Sequence, residues 1–359
     1  LIVKSTDMTA NSVHVFLIAI LCVYYVSNGS LMLGHYDLGW HLAAGDVIRE
    51  HGRIPLHDPW SFTSGTRQWF NLSWLWDALA SVVFQRSGFD GIVVMTVASG
   101  AIIALYLASL CLRIGASAAA AAIAVFSACL LYPAFGAAPN IYLAASPNTA
   151  TMLFAVVFYG ECLQRRGRTW LPAMMTLWVN LHGGFLLGFF VIGVFGGVAL
   201  LRRDWSAFRI YALVAVACFV ATLINPLGWK VYAGSAATLG HFVQAHITEW
   251  QSYYRNMTMP ESIPGIVYVI AFVGLELRFF ARPCPLEARL LSWLFLFAGF
   301  YQFRYMSFFF LFSAVPLALH LDRLLPLRMN PIEVRKALLA AGLVGVCALP
   351  LAYLGEKPE

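Results

Sequence analysis

The stretch 168-RTWLPAMMTLWVNLHGGFLLGFFVIGVFGGVALLRR-203 decides how this chain is built. Between Arg168 and Arg202 lie 33 residues. The hydrocarbon core of a bilayer, about 30 Å thick, takes roughly 20 apolar residues as one helix, so this stretch is too long for one straight span. The polar cluster Asn180, His182, Gly183 and Gly184 sits near its middle. Two helices are therefore expected, a short one over 170–181 suited to a re-entrant segment and a full span over 183–201.

Working outward, apolar runs suited to further spans lie at 13–34, 90–112, 116–135, 148–163, 206–224, 263–280, 287–302, 305–321 and 337–354. The run from Val13 to Leu33 is too long for a signal h-region and lacks a small-residue cleavage site, so it reads as an uncleaved first span. Composition agrees, with 60% hydrophobic residues, 11% charged residues and a mean hydropathy of +0.75. A soluble fold needs far more charge to cover its surface. The expectation is an all-α polytopic bundle of ten or eleven spans, one transmembrane domain over 1–359.

The net charge of +6 comes from basic residues scattered in short loops, which argues topology and not nucleic acid. With the N-terminus in the cytoplasm, alternation puts Lys4, Arg113, Arg165, Arg166, Arg168, Arg202, Arg203, Arg209, Arg278, Arg282, Arg289, Arg323, Arg328, Arg335 and Lys336 inside, the majority of the 23 basic residues. The seven cysteines have no CxxC or metal-like spacing and read as small hydrophobes.

Two outer segments, 35–89 and 225–262, are too long to be turns, and long loops in compact proteins usually carry function. In the first, Leu38 to Glu50 has the apolar and charged faces of an interfacial helix. In the second, Trp229 to Tyr254 reads the same way. This topology collects His35, Asp37, His41, Asp58, Asn71, Asn140, Asn180, His182, Asn225, His241, His246, Glu249 and Arg304 on the outer face. The inner face offers mainly Arg and Lys. Ionisable groups at membrane depth are costly and mark candidate sites.

Asp37 opens the helix in HYDLGWHL, where it is either an N-cap or a catalytic base or metal ligand. His41 follows at i+4 on the same face, so the two could share a proton relay or a divalent cation; a metal-free base fits equally. Asn180 and His182 beside two glycines suit either a helix break or close approach of a ligand. His246 and Glu249 are spaced i, i+3, as an exposed pair or as ligands for metal or acceptor. Arg304 opens an apolar helix, where it either snorkels or clamps a phosphate.

Taken together, D37LGWHLAAGDVIREHGRIPLHDPWSFT, W178VNLHGGFLLG, I224NPLGW, H246ITEW and R304YMSFFFLF resemble bacterial membrane proteins related to the GT-C glycosyltransferases, over about Asp37 to Leu321. The resemblance implies a long first outer loop with interfacial helices and a sugar donor linked to a polyprenyl phosphate or diphosphate. It also implies an acidic base or metal ligand just after the first span, which by position is Asp37. The chain departs from the pattern where relatives carry His-Glu before the loop tryptophan, having Leu72 and Ser73 before Trp74. It departs again where they carry Arg-Pro, having Ser146 and Pro147.

The functional expectation is a glycosyltransferase moving a hexose or pentose at the periplasmic face of a bacterial inner membrane, with lipid-linked donor and membrane lipids as partners. Asp37 would activate the acceptor, and His41, Asn180, His182, His246, Glu249 and Arg304 would bind substrate or phosphate. The alternative is a catalytically silent relative serving as a subunit of a larger membrane complex. A transporter is disfavoured, since no repeat is visible. The site reading further expects Asp37, His182 and Arg304 to line one cavity with His246 and Glu249 at its mouth.

Overall fold

The computed structural model describes residues 37–58, 60, 62, 68–130, 144–165, 168–238, 246–256 and 263–324. The expected first and last spans, at 13–34 and 337–354, lie outside the described residues, as do His35, Asn140 and His241. Among the described residues every regular element is helical, with one isolated bridge between His57 and Gln68.

The helices are α1 (Leu38–His51), α2 (Trp74–Arg113), α3 (Ala118–Leu130), α4 (Asn148–Gln164), α5 (Leu171–Leu181), α6 (Leu186–Leu201), α7 (Trp205–Thr222), α8 (Lys230–Thr238), α9 (Tyr253–Asn256), α10 (Ile263–Arg278), α11 (Leu286–Tyr301) and α12 (Met306–Leu324). Four stretches are long and apolar enough to cross a membrane: Trp74–Arg113, Gly183–Leu201, Trp205–Thr222 and Phe303–Leu324. These are the mark of an integral membrane protein. Straight, the 40 residues of α2 would run about 60 Å, twice a bilayer core. Gly88, at φ 60° and ψ −153°, breaks it into a shorter arm and a longer helix, because only glycine takes such a conformation without strain.

The chain shuttles between two ends of the bundle. At one end Trp74 meets Asn180, Thr151 meets His182 and Glu249 meets Arg304. At the other, Arg113 bonds Gln164, Arg202 bonds Glu287 and the backbone N–H of Ser117 donates to Asp322. Helix α5 joins the two. Arg168, just before it, lies over the Tyr211 ring, whereas Asn180 near its last turn reaches Trp74. It is short, as expected, but it crosses the bundle instead of re-entering. The second outer segment also differs from one long interfacial helix, its described part being α8, a 3-10 turn at Thr248–Trp250 and the single turn α9.

Helix α12 is the axis, with 78% of its apolar window buried against 28% for the peripheral α7. Pro316 inside it lacks the N–H that would bond the Phe312 carbonyl. The hydroxyl of Tyr159 donates to that carbonyl at 3.4 Å, replacing the lost bond where no water is at hand. Cys111, Cys129, Cys162 and Cys218 are buried free thiols filling this core, as their apolar surroundings in sequence imply.

Helix α1 lies across the arm of α2 with a glycine at the crossing. A methyl group at Gly45 would run into the Asp77 carbonyl and the Ser81 side chain. Gly45→Ala is expected to cost about 1–3 kcal/mol through overpacking, read as a lower unfolding midpoint in detergent; an unchanged midpoint would mean the two helices are not in this register.

Candidate functional site

The crossing of α1 on α2 builds a polar pair inside an apolar wall. His41 Nδ1 lies 2.7 Å from Asp77 Oδ1, and Asn71 Nδ2 donates to Asp77 Oδ2 at 2.8 Å. Asp77 is fully buried and His41 nearly so. A carboxylate only accepts, so His41 carries its proton on Nδ1. The ring stacks on Trp40 with centroids 3.7 Å apart and meets Trp76 edge-on at 5.2 Å. Asn71 Oδ1 in turn accepts from the Ser73 backbone N–H at 3.0 Å.

Asp77 was not among the residues singled out from sequence. The signal was present, since one carboxylate in WLWDALASVV faces an otherwise apolar helix and needs a buried partner. The expected sharing of a relay or cation between Asp37 and His41 is corrected accordingly, because the imidazole's partner is Asp77. Asp37 itself precedes α1, exposed, and its side chain makes no capping hydrogen bond. Asp37 occupies the N-cap position of α1 all the same, its carbonyl accepting from the His41 backbone N–H at 3.1 Å.

The break between α5 and α6 forms the second element. Asn180 accepts from Trp74 Nε1 at 2.8 Å and from Asn225 Nδ2 at 3.0 Å. It donates to the carbonyls of Thr176 at 2.7 Å and Ile224 at 2.9 Å. Both lone pairs and both N–H groups are used, so Asn180 is a tie between α2, α5 and the end of α7. His182 Nδ1 lies 2.6 Å from the Thr151 hydroxyl and accepts from the Gly184 backbone N–H. Thr151 also accepts from Trp178 Nε1 at 2.9 Å, which leaves its own proton for His182. Gly184 is required here, because a Cβ would collide with Thr151.

Burial, then the nearby guanidinium of Arg304 and the imidazole of His41, push His182 down to about 3. It is neutral at physiological pH, with its proton on Nε2. Toward a phosphate it can therefore offer a hydrogen bond and no charge.

The third element is Arg304. Its guanidinium lies 3.7 Å from Glu249 and 4.0 Å above the Trp250 ring. The Phe303 backbone N–H donates to the Gln251 carbonyl at 2.9 Å, fastening the second outer segment to the start of α12. Glu249 is thus brought to Arg304, whereas His246 is exposed just before that turn. Neither the flank cavity described below nor the smaller one lined by Arg165, Arg202, Tyr211 and Glu287 is lined by Asp37, His182, Arg304, His246 or Glu249. Simple snorkelling by Arg304 is replaced by stacking and pairing.

Beside the Trp74–Asn180 tie lies a cavity of about 510 Å³, lined by Trp74, Leu75, Thr176, Leu177, Asn180, Leu223, Ile224, Asn225 and Pro226. Leu177, Leu223 and Ile224 are exposed on its rim, so it opens on the flank of the bundle.

Among the described residues, the group of three metal-type donors is Glu276, Cys284 and His320, within 4.8 Å of one another at the other end. This corrects the expectation that the inner end offers mainly Arg and Lys. His320 Nε2 lies 2.5 Å from Glu276 Oε1, Arg289 Nε lies 3.3 Å from Glu276 Oε2 and Arg323 Nη1 lies 3.3 Å from His320 Nδ1. Burial pushes the Cys284 thiol up to about 11, so it is protonated at neutral pH. The guanidinia of Arg289 and Arg323 beside these donors disfavour a cation, and the cluster is an ionic staple joining α10, α11 and α12. No family model matches the chain, and no curated protein matches it.

Proposed function

We propose that the protein is a GT-C-like membrane transferase of ten or eleven spans, acting at the outer face on a sugar carried by a polyprenyl phosphate or diphosphate. The observation that carries this reading is the flank cavity with apolar walls and a polar floor of Trp74, Asn180 and Asn225. An isoprenoid chain suits such walls, and its phosphate end would lie beside the 180–184 break and the cation of Arg304. Asp37 is an exposed carboxylate of the outer loop and serves as the base that takes the acceptor's hydroxyl proton as the anomeric carbon is attacked. The His41–Asp77–Asn71 chain holds α1 in place below it. Arg304 offsets the phosphate charge and His182 donates a hydrogen bond from Nε2.

The test is turnover of radiolabelled polyprenyl-phosphate sugars by the purified chain. Asp37→Asn is expected to lower turnover about 10²–10⁴-fold with folding intact, and unchanged turnover would sink the mechanism.

A second reading, a silent subunit of a membrane assembly, draws on the way these polar groups satisfy one another. Asn180 is saturated, His41 is bound to Asp77 and Arg304 to Glu249. Where the resembled proteins carry a histidine, Leu72 instead packs against Gly183 and Gly234. No turnover of any such donor, together with stoichiometric protein partners on purification, would select this reading.

A further inference from the structure

Between α1 and α2 the chain doubles back on itself and carries two tryptophans onto a third. The bridge between His57 and Gln68 closes the fold-back, and the Trp69 backbone N–H donates to the Leu56 carbonyl at 2.9 Å. The Trp60 backbone N–H donates to Asp58 Oδ1 at 2.9 Å, which makes a tight turn just before it. Trp69 then meets Trp40 of α1 edge-on, with centroids 6.3 Å apart, and Trp60 edge-on at 5.2 Å. The three indoles form one contiguous cluster.

The cluster is fixed, yet open. Trp40 stacks on the His41 ring at 3.7 Å, and that ring is held in turn by Asp77. Edge-to-face packing sets the rings relative to one another. Even so, Trp40 is 40% exposed and Trp60 45% exposed. Aromatic surface already locked in place binds a ligand with little ordering cost.

Exposed tryptophan in a membrane protein commonly serves as an interfacial anchor. An anchor acts singly, with its ring free to settle among headgroups, whereas these three rings cover parts of one another. The surroundings are polar as well, since His57 and Gln68 are exposed on the same fold-back and the Asp58 carboxylate stands in the turn before Trp60. Fixed aromatic faces with hydrogen-bonding groups at the edge match a pyranose ring. Its C–H groups make an apolar face that suits the negative face of an indole, and its hydroxyls project at the rim. Asp37, three residues before Trp40, lies on the same side of the helix within one turn.

We propose that Trp40, Trp60 and Trp69 form a stacking platform for a sugar ring, and that the sugar held there is the acceptor whose hydroxyl Asp37 deprotonates. The acceptor role rests on the transferase reading, whereas the binding itself is measurable without turnover.

The test uses the full chain in a polyoxyethylene detergent, which has no sugar headgroup, and saturation-transfer NMR with maltotetraose, cellotetraose and mannotetraose as probes. Saturable transfer to ring C–H protons is expected for at least one of them, with Kd raised about five- to tenfold in Trp60→Ala and in Trp40→Leu, the size of one lost aromatic contact. Trp60 is exposed, so Trp60→Ala keeps the fold and decides alone if uncovering His41 in Trp40→Leu prevents folding. Phe62→Ala, 99% exposed on the same segment, and Trp170→Ala, exposed before α5, should bind as the wild type does. The proposal is overturned if no oligosaccharide saturates, if Trp60→Ala binds as the wild type does, or if choline chloride alone gives the Trp60-dependent signal. Trp60-dependent sugar binding by a chain that turns over no lipid-linked donor upholds the platform while removing the transferase reading, and turnover whose acceptor KM is unmoved by Trp60→Ala does the reverse.

Discussion

Replacing Asp77 with alanine is expected to lower the stability of the protein by about 2–6 kcal/mol, since it strands two buried donors at about 1–3 kcal/mol each. The carboxylate is fully buried and receives both His41 Nδ1 and Asn71 Nδ2. In Asp77→Ala the imidazole and the amide lose their acceptor in a wall of Trp40, Trp76 and Leu42, where water is excluded. Asp77→Asn keeps the shape and one acceptor oxygen, so its loss should be smaller, about 1–3 kcal/mol. Unfolding midpoints of the three proteins in one detergent provide the comparison. Equal midpoints for Asp77→Ala and the wild type would show that α1 is not docked on α2 through this pair.

A loss of similar size, about 3–5 kcal/mol, is expected for Glu276→Ala at the opposite end. Glu276 is 1% exposed and His320 is fully buried, and the carboxylate stands between His320 Nε2 and Arg289 Nε. Arg289 keeps the carbonyls of Phe279 and Phe280 as acceptors, so it remains anchored while its charge loses compensation. The double variant Glu276→Ala/Arg289→Ala should therefore be less damaged than the sum of the single ones, since removing both charges leaves neither stranded. Strict additivity would mean that the ion pair contributes nothing and that Glu276 is held by His320 alone.

Much of the helical plan follows from local pattern. The apolar runs at 148–163, 206–224 and 287–302 correspond to α4, α7 and α11 within two residues at each end. The break at Asn180 to Gly184 was legible because two glycines and two polar side chains interrupt a run too long for one span. The amphipathic Leu38 to Glu50 became α1 for the same reason. Helix length and amphipathic period depend on neighbours three or four residues apart, so they are written in the chain.

Which polar groups would meet was not written there. His41 finds Asp77 across 36 residues, Glu276 finds His320 across 44 and Trp74 finds Asn180 across 106. No local periodicity encodes such pairings; helix crossings such as Gly45 on Asp77 set them. Asp77 passed unnoticed for this reason, and Asp37, conspicuous by its place after the first span, proved not to be the partner of His41. By itself the sequence determined an all-helical protein with membrane-crossing helices and a polar break, because burial of apolar surface in lipid constrains each segment separately. Only the tertiary structure decided which carboxylate is buried and which asparagine is saturated, because those depend on how separately stable helices pack.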